Sequence, residues 1–288
     1  MGRLIVNADD FGLTAGVNLA IGELYAAGVL TSATVMARAA ATEEAVQMAL
    51  ATPSLGVGCH VVLVDGDPVL SSTRKIPHLA DPITGRFRPK LGSFLSWLHG
   101  LDRYGGSAWE RNSEIEAETA AQISLLQTRG LRLTHIDTHK HAHMFPAVLR
   151  PVLKAARQAG IRAVRNPFEP RWSVQATPGG PWLRRVEVNL LRRLEARFQR
   201  IVREEGFITT SGSLGVLATG TLNAAVVHSL LAQLPADGVF ELVSHPGYHD
   251  ADLAQAHTRL LASRETERTA LLALNNQRNL ELVSFAAL

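Results

Sequence analysis

Short apolar runs of β type alternate with stretches of helical period along most of the chain. Arg3–Asn7 (RLIVN), Ser32–Ala37 (SATVMA), Leu55–Val64 (LGVGCHVVLV), Leu131–Ile136, Ala163–Arg165, Val239–Val243 and Leu280–Phe285 read as strands. Between them, Ala15–Ala27, Glu43–Ala51, Glu110–Gln127, Val148–Ala159, Thr221–Leu234 and Glu265–Asn275 carry apolar residues at helical spacing. Gly28 is a natural stop for the first helix, and Pro53 lies just beyond the second. Strands separated by helices predict parallel βαβ units. Roughly seven such units in a chain of this length suit a TIM-like (β/α) barrel, complete or distorted, better than a sandwich. The stretch Asp65–Gly106 is rich in Pro and Gly and has no clean period, which predicts a long excursion after the third strand. No repeat or linker interrupts the pattern, so a single domain over residues 1–288 is expected.

The chain's 288 residues are 46% hydrophobic and 19% charged, which supplies a core and excludes disordered and fibrous classes. A lone cysteine, Cys59, excludes an intramolecular disulfide and a Cys-based zinc knuckle. The net charge of +3 is too small over this length to point to nucleic acid. MGRLIVNADDFG carries no secretory apolar region, and no apolar run approaches the ~18–20 residues that span a bilayer. A cytoplasmic protein is expected.

Polar residues gather at the strand ends. Asp9 and Asp10 follow the first strand, His60 lies in the third, His135 to His143 straddle the end of the fourth, and His245 follows Val239–Val243. In a parallel barrel all these ends face one side, where active sites are built. Adjacent carboxylates in a strand-to-helix turn are often only a cap and a solvated charge, and a lone His in an apolar run is often a hydrogen-bonded core residue. The run HIDTHKHAH differs. Its four His and one Asp on alternate residues share one face for as long as the strand persists. So many titratable groups together cost stability unless a metal or a reaction uses them. Asp10, His60 and His139 offer two imidazoles and a carboxylate from three strand ends, leaving Asp9 uncoordinated beside them as a base. Cys59 points to the opposite strand face from His60 and is assigned to the core.

NADDFGLT, VLTSATVMA (29–37), GCHVVL (58–63), HIDTHKHAHMFP (135–146) and SHPGY (244–248) together resemble the YdjC-like carbohydrate deacetylases, in the family's order and over nearly the whole chain. TTSGSLGVLATG (209–220) is most similar to the branch associated with hopanoid biosynthesis. The resemblance implies a barrel hydrolase that removes the acetyl group from an N-acetylated amino sugar by metal-activated water, on a lipid-linked glycoconjugate in that branch. It implies one divalent ion, Mg2+ or Zn2+, on Asp10, His60 and His139, with Asp9 as general base and His245 as general acid. His141 and His143 are then expected to support the ligands from behind or to contact the sugar, since three protein ligands suffice. A homodimer is also implied. Val64 and Cys59 depart from the family's usual residues and bear on substrate preference.

Leu183–Glu204 sets Val186, Leu190, Leu191, Leu194, Phe198, Ile201 and Val202 at helical spacing among seven arginines. An Arg-rich helix packed on the barrel is one reading. A basic amphipathic helix making peripheral contact at the inner membrane surface is the other. Two other functions compete with the hydrolase. His135-x-Asp137 with a distant His imitates the triad of non-haem iron oxygenases, although strand–helix alternation argues against their usual fold. A non-catalytic sugar- or lipid-binding protein with a structural metal would need neither Asp9 nor His245.

Overall fold

Eight strands form one parallel sheet in the order β6-β5-β4-β3-β2-β1-β8-β7, with β9 added beside β1. They are β1 (Gly2–Phe11), β2 (Ser32–Val35), β3 (Gly56–Val61), β4 (His135–Thr138), β5 (Ala163–Val164), β6 (Ile208–Thr209), β7 (Gly212–Leu214), β8 (Val239–Ser244) and β9 (Leu280–Leu282). The computed structural model describes residues 2–70, 74–101, 106–256, 258–276 and 280–288. The two ends of the sheet are covalent neighbours: only Thr210 and Ser211 separate β6, which pairs with β5, from β7, which pairs with β8. The Ser211 N–H donates to Val239 O at 2.7 Å and the Asn166 side-chain amide donates to Thr210 O at 3.2 Å, so this stretch leans on both flanks. The sheet is therefore curled into the TIM-like barrel that the alternation predicted.

The helices α1 (Ala15–Ala26), α2 (Thr42–Ala51), α4 (Ala108–Thr128), α5 (Pro146–Gln158), α9 (Ala224–Ala232) and α11 (Ser263–Leu272) lie where the periodicity placed them, within a few residues. Helices α3 (Leu91–Leu98), α6 (Arg171–Ala176) and α10 (Ala251–Gln255) were not anticipated. Of these, α3 falls inside Asp65–Gly106, where an antiparallel bridge also joins Ala80 to Phe87; residues 71–73 and 102–105 of that stretch lie outside the described residues. The Arg-rich segment forms α7 (Trp182–Leu191) and α8 (Glu195–Glu204), joined by a 3₁₀ turn at Arg192–Leu194.

Outward strand residues such as Leu4, Val6, Val35, Val61, Ile136 and Leu242 pack under the helices in the main core. The inward residues form layers. At the N-terminal end of the strands, Ile5, Ala163, Val239 and Phe285 make an apolar plug. His135 stacks on Phe285 with centroids 3.7 Å apart, and a Cβ at Gly58 would lie 2.5 Å from its Cε1, so only glycine admits the ring. Two residues further along the strands the interior becomes charged. Carboxylates pin the loops around it: Glu118 of α4 accepts from the Val69 and Leu70 N–H groups, Glu114 of α4 from His78 and Leu79, and Glu169, just before α6, from Gly215 and Leu217.

Candidate active site at the barrel mouth

Neighbouring residues on a regular strand face opposite sides, so Asp9 and Asp10 could not both serve one site without a break in β1. The break is present. Pairing with β2 shifts register between Ala8 and Phe11, and Asp10 takes φ 62°. Aspartate tolerates this left-handed region better than most residues, and such strain clusters at functional sites. Both carboxyls thereby sit, buried, at the mouth.

Asp10, His60 and His139 converge. Asp10 Oδ1 lies 3.4 Å from His60 Nε2 and 3.4 Å from His139 Nδ1, and the two ring nitrogens are 3.2 Å apart. Tetrahedral donors on a zinc-sized ion stand about 3.3 Å from one another. Asp10 Oδ1 is also a buried carboxylate oxygen with no hydrogen-bond donor, which a cation would satisfy. The donor set therefore fits a divalent ion. Its other atoms are held in place. Arg264 donates to Asp10 Oδ2 at 2.6 Å, and the His60 Nδ1–H donates to Asp137 at 2.9 Å, which turns Nε2 toward the cluster. Burial opposes the charged His60 ring, but Asp137, Asp9 and Asp10 outweigh it and push its pKa up to about 9. Burial also works against the Asp10 carboxylate, yet Arg264 and the two imidazoles hold it well below the usual range.

Asp9 is gripped from below. Arg165 donates to its two oxygens at 2.8 and 2.6 Å, and Asn7 and Thr34 add donors to Oδ1 at 2.9 and 3.3 Å. Burial would raise its pKa, but Arg165 and His60 hold it far below the carboxylate range, so Asp9 stays ionised. His245 Nε2 lies 3.7 Å from Asp9 Oδ2, and His245 Nδ1 lies 3.7 Å from Glu267, which accepts the His245 backbone N–H at 2.6 Å. Burial disfavours the His245 cation, but Glu267 and Asp9 on either side raise its pKa above the ordinary imidazole value.

The one-face reading of HIDTHKHAH ends with the strand. β4 stops at Thr138, and Lys140 and His141 turn left-handed at φ 56° and 52°, so His141 and His143 leave the face of His135 and Asp137. His141 is half-buried, and desolvation pushes its pKa down. His143 is fully buried, with Nδ1 against Thr138 Oγ1 at 2.8 Å and Nε2 donating to Arg165 O at 3.1 Å, which leaves no ring nitrogen for a sugar. His135 belongs to the apolar plug, where burial lowers its pKa to about 3. Cys59 is in the core, as expected.

Sequence reasoning passed over Arg165, Glu241, Arg264 and Glu267, all buried. Arg165 sits among Asp9, Asp137 and Glu241, and burial raises Glu241 to about 7 despite the guanidinium beside it. A polar residue in the middle of a strand otherwise read as apolar, as in VFELVS, was the available signal for Glu241. Lys140 donates to Asp65 at 2.6 Å and ties the loop after β4 to the loop after β3.

The sequence profile of the family described as YdjC-like protein matches residues 3–281. The chain belongs to the YdjC-like family. A carbohydrate deacetylase of Brevibacillus brevis is 44% identical over 166 residues, a match spanning 58% of this chain and 60% of that relative, less than two thirds of its length. A carbohydrate deacetylase of Thermoanaerobacter pseudethanolicus is 31% identical over 271 residues, covering 94% of this chain and 91% of the relative. A crystal structure from Enterococcus faecalis, described as a cellobiose-phosphate cleavage protein, superposes with TM-score 0.75 at 24% identity, over 99% of this chain and 98% of that one. That likeness speaks for the fold alone.

Proposed function

We propose that this protein is a metal-dependent hydrolase that removes the acetyl group from an N-acetylated amino sugar. The observation that carries the reading is one buried mouth holding three separate kinds of group. Asp10, His60 and His139 form a cation-sized donor set, Asp9 is a held carboxylate, and His245 is poised to be protonated. The carbohydrate deacetylases among the relatives support the substrate class.

An amide needs a strong nucleophile, a polarised carbonyl and a protonated leaving nitrogen. A divalent ion held by Asp10, His60 and His139, Mg2+ or Zn2+, would supply charge that polarises the carbonyl and acidifies water. The protein's own groups do the rest. Asp9 is ionised across the working range and accepts the proton of the attacking water. Its low basicity is tolerable only beside a strongly acidified donor. His245, on the far side of Asp9, donates to the departing amine. Both stand in a pocket of buried groups where charge interactions are strong.

A lipid-linked substrate of the hopanoid type is the narrower form of the proposal. It is supported by one surface: Trp182, Val186 and Leu190 are exposed at i, i+4, i+8 along α7, and Arg193, Arg197 and Arg200 are exposed further along the same helical run. No helix among the described residues is long and apolar enough to cross a membrane. The test is acetate release, matched by free amine, from a panel of N-acetylglucosamine conjugates with and without lipid, each with Mg2+ or Zn2+ added. Release from at least one conjugate is expected, and release from none contradicts the proposal. Co-sedimentation with anionic vesicles at low salt, lost when the three arginines are changed to Glu, tests the lipid arm.

A further inference from the structure

Arg165 has no exposed surface and stands just past β5, at the centre of the barrel. Its guanidinium donates to both oxygens of Asp9 at 2.8 and 2.6 Å, to Oδ2 of Asp137, and through Nε to Oε1 of Glu241 at 2.8 Å. Asp137 in turn accepts from His60 Nδ1 at 2.9 Å. One planar fork thus reaches both the carboxylate that faces the reacting water and the carboxylate that orients an ion ligand. We propose that Arg165 is a positioning residue that keeps Asp9 and His60 in register with each other. Losing its fork should weaken ion binding and turnover together, although Arg165 touches none of the ion-binding atoms. The inference rests on the assignment of Asp10, His60 and His139 as ligands and Asp9 as proton acceptor.

Three observations favour positioning over plain charge balance. First, three carboxylates around a single cation are a poor way to stabilise a barrel interior. Glu241 Oε2 and Asn7 Oδ1 have no hydrogen-bond partner, and buried ion pairs seldom exceed an apolar replacement in stability. Second, the backbone of Arg165 is tied to the strand that carries Asp137. Its N–H donates to Ile136 O at 3.1 Å, and its carbonyl accepts from His143 Nε2 at 3.1 Å, with His143 itself anchored to Thr138. The element that ends in Asp137 and His139 therefore fixes where the guanidinium sits. Third, guanidinium donors lie in one rigid plane, so two carboxylates bound to the fork share its orientation, which a lysine ammonium cannot impose.

Arg165→Lys keeps the charge and removes the fork. Ile5→Ala, in the apolar plug away from the charged groups, is the control for lost stability alone. The readouts are Co2+ titration of the metal-free protein, followed by the visible absorption of the bound ion, together with acetate release and thermal melting. Arg165→Lys is expected to weaken Co2+ binding by about 10–100-fold, the usual cost of disturbing groups behind a ligand, and to change the Co2+ spectrum. Its kcat should fall by about 10²-fold, while Ile5→Ala melts earlier but stays near the unaltered protein in both. An Arg165→Lys protein that melts earlier but binds Co2+ and turns over normally overturns the inference and leaves Arg165 a structural counterion.

Should Arg165→Lys fail to fold, the unaltered protein gives the answer with arginine labelled by nitrogen-15. The Arg165 Nε–H signal is expected to exchange slowly and to shift on saturation with Zn2+, through His60 and Asp137. A signal that ignores Zn2+ while the ion binds overturns the inference. Absence of any Co2+ uptake by the unaltered protein contradicts the ligand assignment, and the inference falls with it.

Discussion

The barrel interior is built on two opposed principles two to four residues apart along its strands. Ile5, Ala163, Val239 and Phe285 form a dry plug at one end, while Asp9, Asp137, Arg165 and Glu241 fill the other with charge. The same strands supply both layers: Ile5 and, four residues on, Asp9 on β1, Val239 and Glu241 two residues apart on β8, and His135 and Asp137 two apart on β4. The period of two makes this inexpensive in sequence, since one strand step of two residues stays on the inner face. The layers differ in what they leave unsatisfied. At the charged end Asn7 Oδ1, Asp10 Oδ1, Glu241 Oε2, His245 Nδ1 and Arg264 Nη1 all lack partners, against His135 Nε2 at the plug. Unsatisfied buried atoms lower stability, so their concentration marks the layer kept for chemistry and the plug as the layer kept for folding.

If that division holds, substitutions in the two layers should separate activity from stability. The largest effect is expected at Asp9. Asp9→Asn should lose at least ~10²–10⁴ in kcat while keeping its ion, because the neighbouring Asp10 supplies the ligand. Comparing acetate release with Zn2+ stoichiometry checks this, and near-normal turnover would exchange the roles of the two aspartates. His245→Ala should harm acetamides far more than activated esters, whose leaving groups need little protonation. Because the pKa of His245 is raised, the alkaline limb of kcat/KM should lie above the ordinary imidazole value of 6.5 and vanish in the variant. Equal damage to both substrate types would make His245 a stabiliser of developing charge instead.

In the plug the expectation reverses. Ile5→Ala should cost about 2–5 kcal/mol of stability, the usual range for a buried isoleucine, with kcat unchanged below the melting point. Urea unfolding beside an activity assay reads both quantities, and a drop in kcat at full folding would blur the layers. The last expectation concerns pH. His135 and His143 are held neutral by burial, with pKa values lowered to about 3 and about 4. An unfolded histidine takes up a proton below about 6.5, so the stability these two contribute is present above that pH and is lost as pH falls toward 4. Tm should decline across that window, and less steeply in His135→Asn.

Much of this was legible in the residues. The alternation of apolar runs with helical stretches gave the parallel barrel, and His60, His139 and the two aspartates stood at strand ends before any geometry was known. What could not be read had physical causes. The strand position at Ile208–Leu214 is split by Thr210 and Ser211 into pieces too short to show a period. Equal spacing in HIDTHKHAH suggested one continuous face, but the left-handed turn at Lys140 and His141 breaks it, and neither residue type announces that conformation. Arg165 follows a two-residue strand and resembles a surface cation in sequence; only barrel closure puts it among three carboxylates. Arg264 reaches Asp10 from a helix 254 positions away.

The central claim is that Asp10, His60 and His139 hold an ion on which deacetylation depends. Its most direct test is a Zn2+ titration of the metal-stripped protein, following acetate release from an N-acetylglucosamine conjugate that the unaltered protein accepts. Activity should rise to a plateau at one ion per chain, and His139→Ala should show neither uptake nor release while melting close to the unaltered protein. Full activity in the stripped protein, or a His139→Ala titration that follows the unaltered curve, would contradict the account.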